Sequence, residues 1–141
     1  MTTRLCPLWL VLMLSFFALG CGEDIPKLAQ TTGTVTYQGE PLRSGTILFT
    51  PDTSRGTHGP VALGKLDGNG KYTLYTKSEA GAVPGWHRVT VVALDDSLVP
   101  NQAGDTQTRS VLPGKYQNPQ TSGLVKEVKA DQANVIDFDL E

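Results

Sequence analysis

Cysteine is almost missing from this chain: two in 141 residues, Cys6 and Cys21, both near the start. A disulfide framework and a paired-thiolate site are excluded downstream, so any domain there folds on packing alone. Basic excess is missing too. Twelve Lys and Arg face fourteen Asp and Glu, a formal charge of −2, with the signs alternating along the chain. That removes the electrostatic footprint of a nucleic-acid partner. Histidines number only two, His58 and His87. Even with Asp52 or Asp67 added they make no closely spaced set of three or four zinc ligands. Neither Gly-x-Ser-x-Gly nor Ser-x-x-Lys occurs, and no histidine is placed by pattern as a base. Asp67-Gly68-Asn69-Gly70 lacks the later oxygens of a calcium loop, because Lys71, Tyr72 and Thr73 follow. Asp95-Asp96 reads as a solvated pair rather than as glycosidase carboxylates. The expectation is a non-enzyme with no catalytic residue, cofactor or metal.

What is present begins with a leader. Arg4 gives a weakly positive start, residues 7–17 an apolar core, and Ala18 to Gly20 the small residues a peptidase needs. The apolar stretch 8–20 is too short and too abruptly ended for a membrane span. Ala18-Leu19-Gly20-Cys21-Gly22 resembles the lipobox of bacterial lipoproteins, with Ala18 where leucine is usual. The resemblance implies cleavage before Cys21, loss of Cys6, and acylation (palmitate or similar) of Cys21 as the membrane anchor. The expected organisation is a signal peptide at 1–20, the lipidated cysteine and a tether at 21–31, and one domain at 32–141. The tether mixes charge with Pro26 and, extended, would hold the domain roughly 30 Å from the lipid. The expected location is the cell envelope, with the domain facing periplasm or exterior. About 120 residues would remain after cleavage, enough for one modest core.

Beyond residue 31 the chain is short runs rich in Val, Ile, Thr, Tyr and Phe, punctuated by Gly, Pro, Asn and Asp, with no sustained helical period. That pattern predicts an all-β fold. Strands are expected at 33–37, 46–50, 61–66, 71–76, 86–94, 124–130 and 135–140, the last two as a final pair. Parity points Val35 and Tyr37, Ile47 and Phe49, Tyr72 and Leu74, and Val89 and Val91 inward. It also sends Ile136, Phe138 and Leu140 inward between Asp137 and Asp139. Phe49, Leu74, Val91 and Phe138 should meet in one core. Seven strands with one wet face each predict a two-sheet sandwich. Residues 67–70 should close a tight hairpin. Residues 95–123 are too long for an ordinary connection. Their polar half, 95–109, is expected to be mobile, and Val111, Leu112 and Tyr116 to pin the other half to the sandwich.

The run Thr32-Gly33-Thr34-Val35-Thr36-Tyr37-Gln38-Gly39-Glu40-Pro41-Leu42, then Gly45, Ile47, Phe49 and Pro51, is similar to the start of a carboxypeptidase regulatory-like domain. Asp67, Gly70, Tyr72 and Leu74, and Val83-Pro84-Gly85 leading to Val89 and Val91, continue the likeness over residues 31–93. Leu112-Pro113-Gly114-Lys115-Tyr116, with Pro119 and Ser122-Gly123-Leu124, is similar to small lipoproteins of planctomycete-type bacteria. The resemblance implies a transthyretin-like (prealbumin-like) sandwich. It implies no activity, because zinc ligands and general base belong to a separate catalytic domain in such carboxypeptidases. His87 departs from the family, which more often shows tyrosine there.

Two functions are expected on this basis. The first is a non-catalytic, lipid-anchored envelope protein presenting its sandwich to a protein or envelope partner. The alternative is a surface carbohydrate-binding module using Trp86, Tyr116 and the 95–123 segment. Besides Cys21 for lipidation, the candidate partner contacts are Arg109, Lys115, Tyr116 and Trp86. Trp86 lies on the parity opposite Val89 and Val91.

Overall fold

A computed structural model describes residues 26–100 and 106–141; the leader, Cys21 and the first part of the tether lie outside the described residues. The strands are β1 (Thr31–Tyr37), β2 (Glu40–Pro41), β3 (Thr46–Pro51), β4 (Ala62–Lys65), β5 (Lys71–Thr73), β6 (Tyr75–Thr76) and β7 (Glu79–Ala80). They continue as β8 (Gly85–Val92), β9 (Leu94–Pro100), β10 (Thr106–Ser110), β11 (Val125–Val128), β12 (Asn134–Val135) and β13 (Phe138–Leu140). Among the described residues the only helical pieces are two 3-10 turns, Thr53–Arg55 and Gly114–Gln117.

Two sheets make an all-β sandwich. The first is centred on β1, with β12 and β13 parallel on one flank and β5 and β2 antiparallel on the other. The second is antiparallel in the order β11-β8-β3-β4-β6-β7. The core lies between them as parity requires. Val35, Tyr72, Leu74, Phe138 and Leu140 meet Ile47, Phe49, Val89 and Val91 in one buried cluster. Phe49 is its centre, with Phe138 edge-on at 6.0 Å, Tyr72 at 6.3 Å and His87 at 5.8 Å between ring centroids. Each such side chain contributes about 1.5–3 kcal/mol on burial.

Several expectations about pairing are corrected. Residues 124–130 and 135–140 do not pair with each other. β11 runs antiparallel to β8, with Lys126 opposite His87, while β12 and β13 run parallel to β1, with Val35 opposite Phe138. Between them Asn134 is buried; its amide donates to Lys129 O at 3.0 Å and Gln132 O at 3.1 Å, and its Oδ1 accepts from Lys129 N at 2.9 Å. The turn those bonds hold sends the chain back across the sandwich.

The expected strand 71–76 is two strands serving two sheets. β5 pairs with β1 and β6 with β4, the change falling at Leu74, whose N–H bonds Thr31 O and whose carbonyl bonds Gly81 N. Residues 67–70 close the expected tight turn, Asp67 N bonding Lys71 O at 2.9 Å, but the hairpin pairing resumes only where Leu63 faces Tyr75, because β5 has moved to the first sheet. Within residues 94–110, β9 and β10 pair antiparallel, Val99 opposite Gln107, with a register shift between Thr108 and Ser110. Leu112 and Tyr116 are buried as expected, but Val111 is 43% exposed and pins nothing.

Side chains bridge the break between β12 and β13. Asp137 Oδ1 accepts from Thr34 N at 2.7 Å, and Tyr72 donates its hydroxyl to Ile136 O at 2.6 Å. Residue 33 must be glycine beneath that crossing, since a Cβ there would overlap the Ile136 carbonyl.

Candidate functional site

Solvent-facing side chains of β1, β4, β5 and β6 meet along one side of the sandwich and line an open groove of about 1040 Å³. Strand parity builds it. Along β4, Ala62 and Gly64 face the core while Leu63 and Lys65 face out; along β5 and β6, Lys71, Thr73 and Tyr75 face out. Register then sets Leu63 opposite Tyr75, Thr32 opposite Thr73, and Thr34 opposite Lys71. Val61, Leu63, Tyr75 and Val135 remain 42%, 47%, 48% and 73% exposed on its walls. Large apolar side chains gathered in one wet concavity mark interaction surfaces more often than scattered ones do.

The same walls carry Lys65, Lys71 and Lys77 with Asp67 and Asp137. None of the five forms an ion pair among the described residues. Asp67 Oδ1 accepts from Asn69 N at 2.8 Å and Lys71 N at 2.9 Å. Those two N–H groups, Lys71's first, hold its carboxyl below the usual range, with a weaker pull from the Lys71 charge. Asp137 uses one oxygen on Thr34 N. Burial, and then the Asp137 charge, push the Tyr72 hydroxyl well above its ordinary range, so it stays protonated and donates to Ile136. The groove lining contains no histidine or cysteine to pair with its hydroxyls.

A second polar cluster sits at the loop after β3. Asp52 is buried, and its Oδ1 accepts from Ser54 Oγ at 2.6 Å and Ser54 N at 3.1 Å. Its Oδ2 lies 3.3 Å from Arg88 Nε and 3.6 Å from Arg55 Nε without an aligned hydrogen bond. The Ser54 hydroxyl, and after it Arg88, hold the carboxyl below its usual range against the effect of burial. Asp52 N bonds Trp86 O at 2.8 Å and Thr57 Oγ1 accepts from Trp86 N at 2.7 Å, so the cluster clamps the loop onto β8.

Three of the residues expected at a partner surface lie against protein neighbours. Arg55 covers the Trp86 ring at 4.5 Å from its centroid. Tyr116 is buried; its hydroxyl donates to Glu141 O at 3.0 Å and accepts from Glu141 N at 3.1 Å, so its ring is not available as an exposed aromatic. Lys115 lies over that ring at 4.7 Å, and Arg109 is exposed on β10. Cys21 lies outside the described residues. Among the described residues no group of His, Cys, Asp or Glu gathers to hold a metal. His58 is exposed in its loop and His87 is wholly buried. The groove's own residues were missed by the sequence reading. The available signal was Leu63 and Tyr75 on the wet parity of their strands.

His87 has a further consequence. Its Nδ1 lies 3.0 Å from Gly85 O, and its Nε2 is buried without a partner. Burial depresses its pKa below 6.5, the Gly85 bond opposing weakly. The unfolded chain therefore takes up a proton that the folded chain refuses, and stability falls as pH drops below about 6.5. Urea midpoints should fall between about pH 8 and pH 5 for the wild type and stay level for His87→Phe. Equal falls in both would show that the ring is not the group responsible.

Fold and site together define an all-β sandwich with a side-chain-lined open groove. No family model matches the chain, and no curated protein does. Among solved structures the chain is similar to a 9R-lipoxygenase from Cyanothece PCC8801, at 16% identity and a TM-score of 0.36. The likeness takes in 84% of this chain and 17% of that one. The chain thus spans under a fifth of that protein's length, and likeness at this level carries nothing about activity.

Proposed function

We propose that this chain is a non-catalytic, lipid-anchored protein of the cell envelope. It presents a carboxypeptidase regulatory-like, transthyretin-like sandwich to an envelope partner. The groove carries the reading: four wet apolar side chains beside three lysines, on walls without histidine or cysteine. The lipobox-like Ala18-Leu19-Gly20-Cys21-Gly22 supports the anchor. Among the described residues no helix is long and apolar enough to cross a membrane. The link proposed is acyl chains on Cys21, each buried methylene contributing about 0.8 kcal/mol, with more than one chain needed for stable attachment.

Two measurements test the two halves. Cys21→Ser should move the protein from the detergent phase to the aqueous phase, or leave it unprocessed; unchanged partitioning removes the anchor. A photoreactive side chain at position 75 should trap an envelope component in cells, whereas one at the exposed position 129 should not. Equal yields at both positions remove the groove from the reading.

A further inference from the structure

We propose that the groove binds an acidic polysaccharide with isolated carboxylates on an otherwise neutral sugar backbone. The proposal rests on reading the chain as a binding module, and it names that module's ligand.

Much of the backbone lining the groove is paired on both sides, although β5 and β12 pair only with β1. β1 is flanked on both sides, and β4 lies between β3 and β6. Along β1 and β4 the floor therefore offers side chains and no free strand edge. A peptide laid along it would leave its own amides without a ladder to join. A sugar chain carries its donors and acceptors on hydroxyls, which side chains can meet. Thr32 and Thr73 stand as a cross-strand pair with Thr34 beside them. The Leu63–Tyr75 pair supplies an apolar wall for the C–H faces of sugar rings, and Tyr75 a flat ring to stack on them. A groove of about 1040 Å³ is at the upper end of sizes that enclose small ligands, and its open form suits a length of polymer.

Charge selects the class of glycan. Three lysines are uncommitted among the described residues, so an anion gains from entering. Asp67 and Asp137 each spend one oxygen on backbone N–H groups, and the other has no protein partner among the described residues. Those free oxygens can accept from sugar hydroxyls. They also repel dense negative charge, which disfavours heavily sulfated polymers and nucleic acid. Sparse carboxylates separated by hydroxyls match this alternation.

The test uses the full chain in detergent micelles, titrated calorimetrically with mostly methyl-esterified oligogalacturonate that keeps a few free carboxylates (the acid form) and with its fully methyl-esterified form (the ester), which keeps the sugars and loses the charge. The acid form should bind, more weakly as salt rises, and the ester should bind about tenfold more weakly or worse. The combined variant Lys65→Gln, Lys71→Gln, Lys77→Gln should lose about tenfold for the acid form and flatten its salt dependence. Tyr75→Ala should weaken acid and ester alike, and Lys129→Gln should change neither. All these positions are exposed, so thermal unfolding should be unaltered; a variant with lowered Tm is replaced by Lys→Arg at the same positions, which should restore binding. Equal binding of acid and ester overturns the proposal, as does wild-type binding by the triple variant. Self-association abolished by Tyr75→Ala also overturns it, by assigning the groove to a second copy. A position-75 photoadduct without oligogalacturonate binding overturns the glycan and leaves the binding-module reading standing. Loss of both removes both.

Discussion

Phe138→Ala should destabilise the protein by about 3–5 kcal/mol, a large part of the 5–15 kcal/mol typical of a whole domain. The side chain is 4% exposed and meets Phe49 edge-on at 6.0 Å, the contact that joins β13 to β3 across the sandwich. Lys126 lies over the same ring at 5.6 Å, so its stem would lose apolar cover too. Neighbouring side chains cannot collapse into the void, because Val35 is fixed opposite Phe138 by strand register and Phe49 is held by Tyr72 and His87. Denaturant unfolding of the variant against the wild type measures the loss. A value under about 1 kcal/mol would mean that β13 slips by one residue and turns Phe138 to solvent.

Gly70→Ala should cost about 2–5 kcal/mol, combining a left-handed penalty with a steric one. Gly70 has φ of +74°, and a Cβ there would stand 2.5 Å from Val35 O and 3.2 Å from Leu42 N. Those two atoms are bonded to each other at 3.0 Å, and Gly70 O accepts from Val35 N at 2.8 Å. A methyl group at residue 70 thus wedges apart the turn and the central strand of the first sheet. Asp67→Ala removes two hydrogen bonds from an exposed carboxylate and should cost less than Gly70→Ala. Calcium at sub-millimolar concentration should leave Tm unchanged in both variants and in the wild type. A larger loss at Asp67, or a calcium-dependent rise in Tm, would reverse the assignment of this turn as structural.

Which face each strand buries was legible in the sequence, because parity depends only on the residues of that strand. Phe49, Leu74, Val91 and Phe138 could be placed together from alternation alone, and all four belong to one cluster. Which strand lies beside which was not legible. Alternation in 135–140 is the same whether the segment pairs antiparallel with 124–130 or parallel with β1. The choice is made by Asn134, whose buried amide redirects the chain, and by Tyr72 and Asp137, which satisfy the break that follows. Nor does the run Lys71-Tyr72-Thr73-Leu74-Tyr75-Thr76 announce its change of sheet at Leu74. The groove was hidden for a related reason. A single outward leucine is ordinary on any protein surface. Leu63 becomes informative only when β4 and β6 bring Tyr75 opposite it. Trp86 and Tyr116 drew attention as aromatics, yet their availability depended on Arg55 and Glu141, which sequence spacing does not connect to them.

The parallel pairing of β1 with β12 and β13 sets a timetable. Thr34 N waits for Asp137, 103 positions later, and Val35 for Phe138. Until that segment exists, the central strand of the first sheet has one flank bare. Long-range closure of this kind folds slowly, since loop entropy is lost before contacts repay it. The same dependence makes the segment 134–140 a point of failure: without it β1 is an open edge, free to recruit a strand from another molecule.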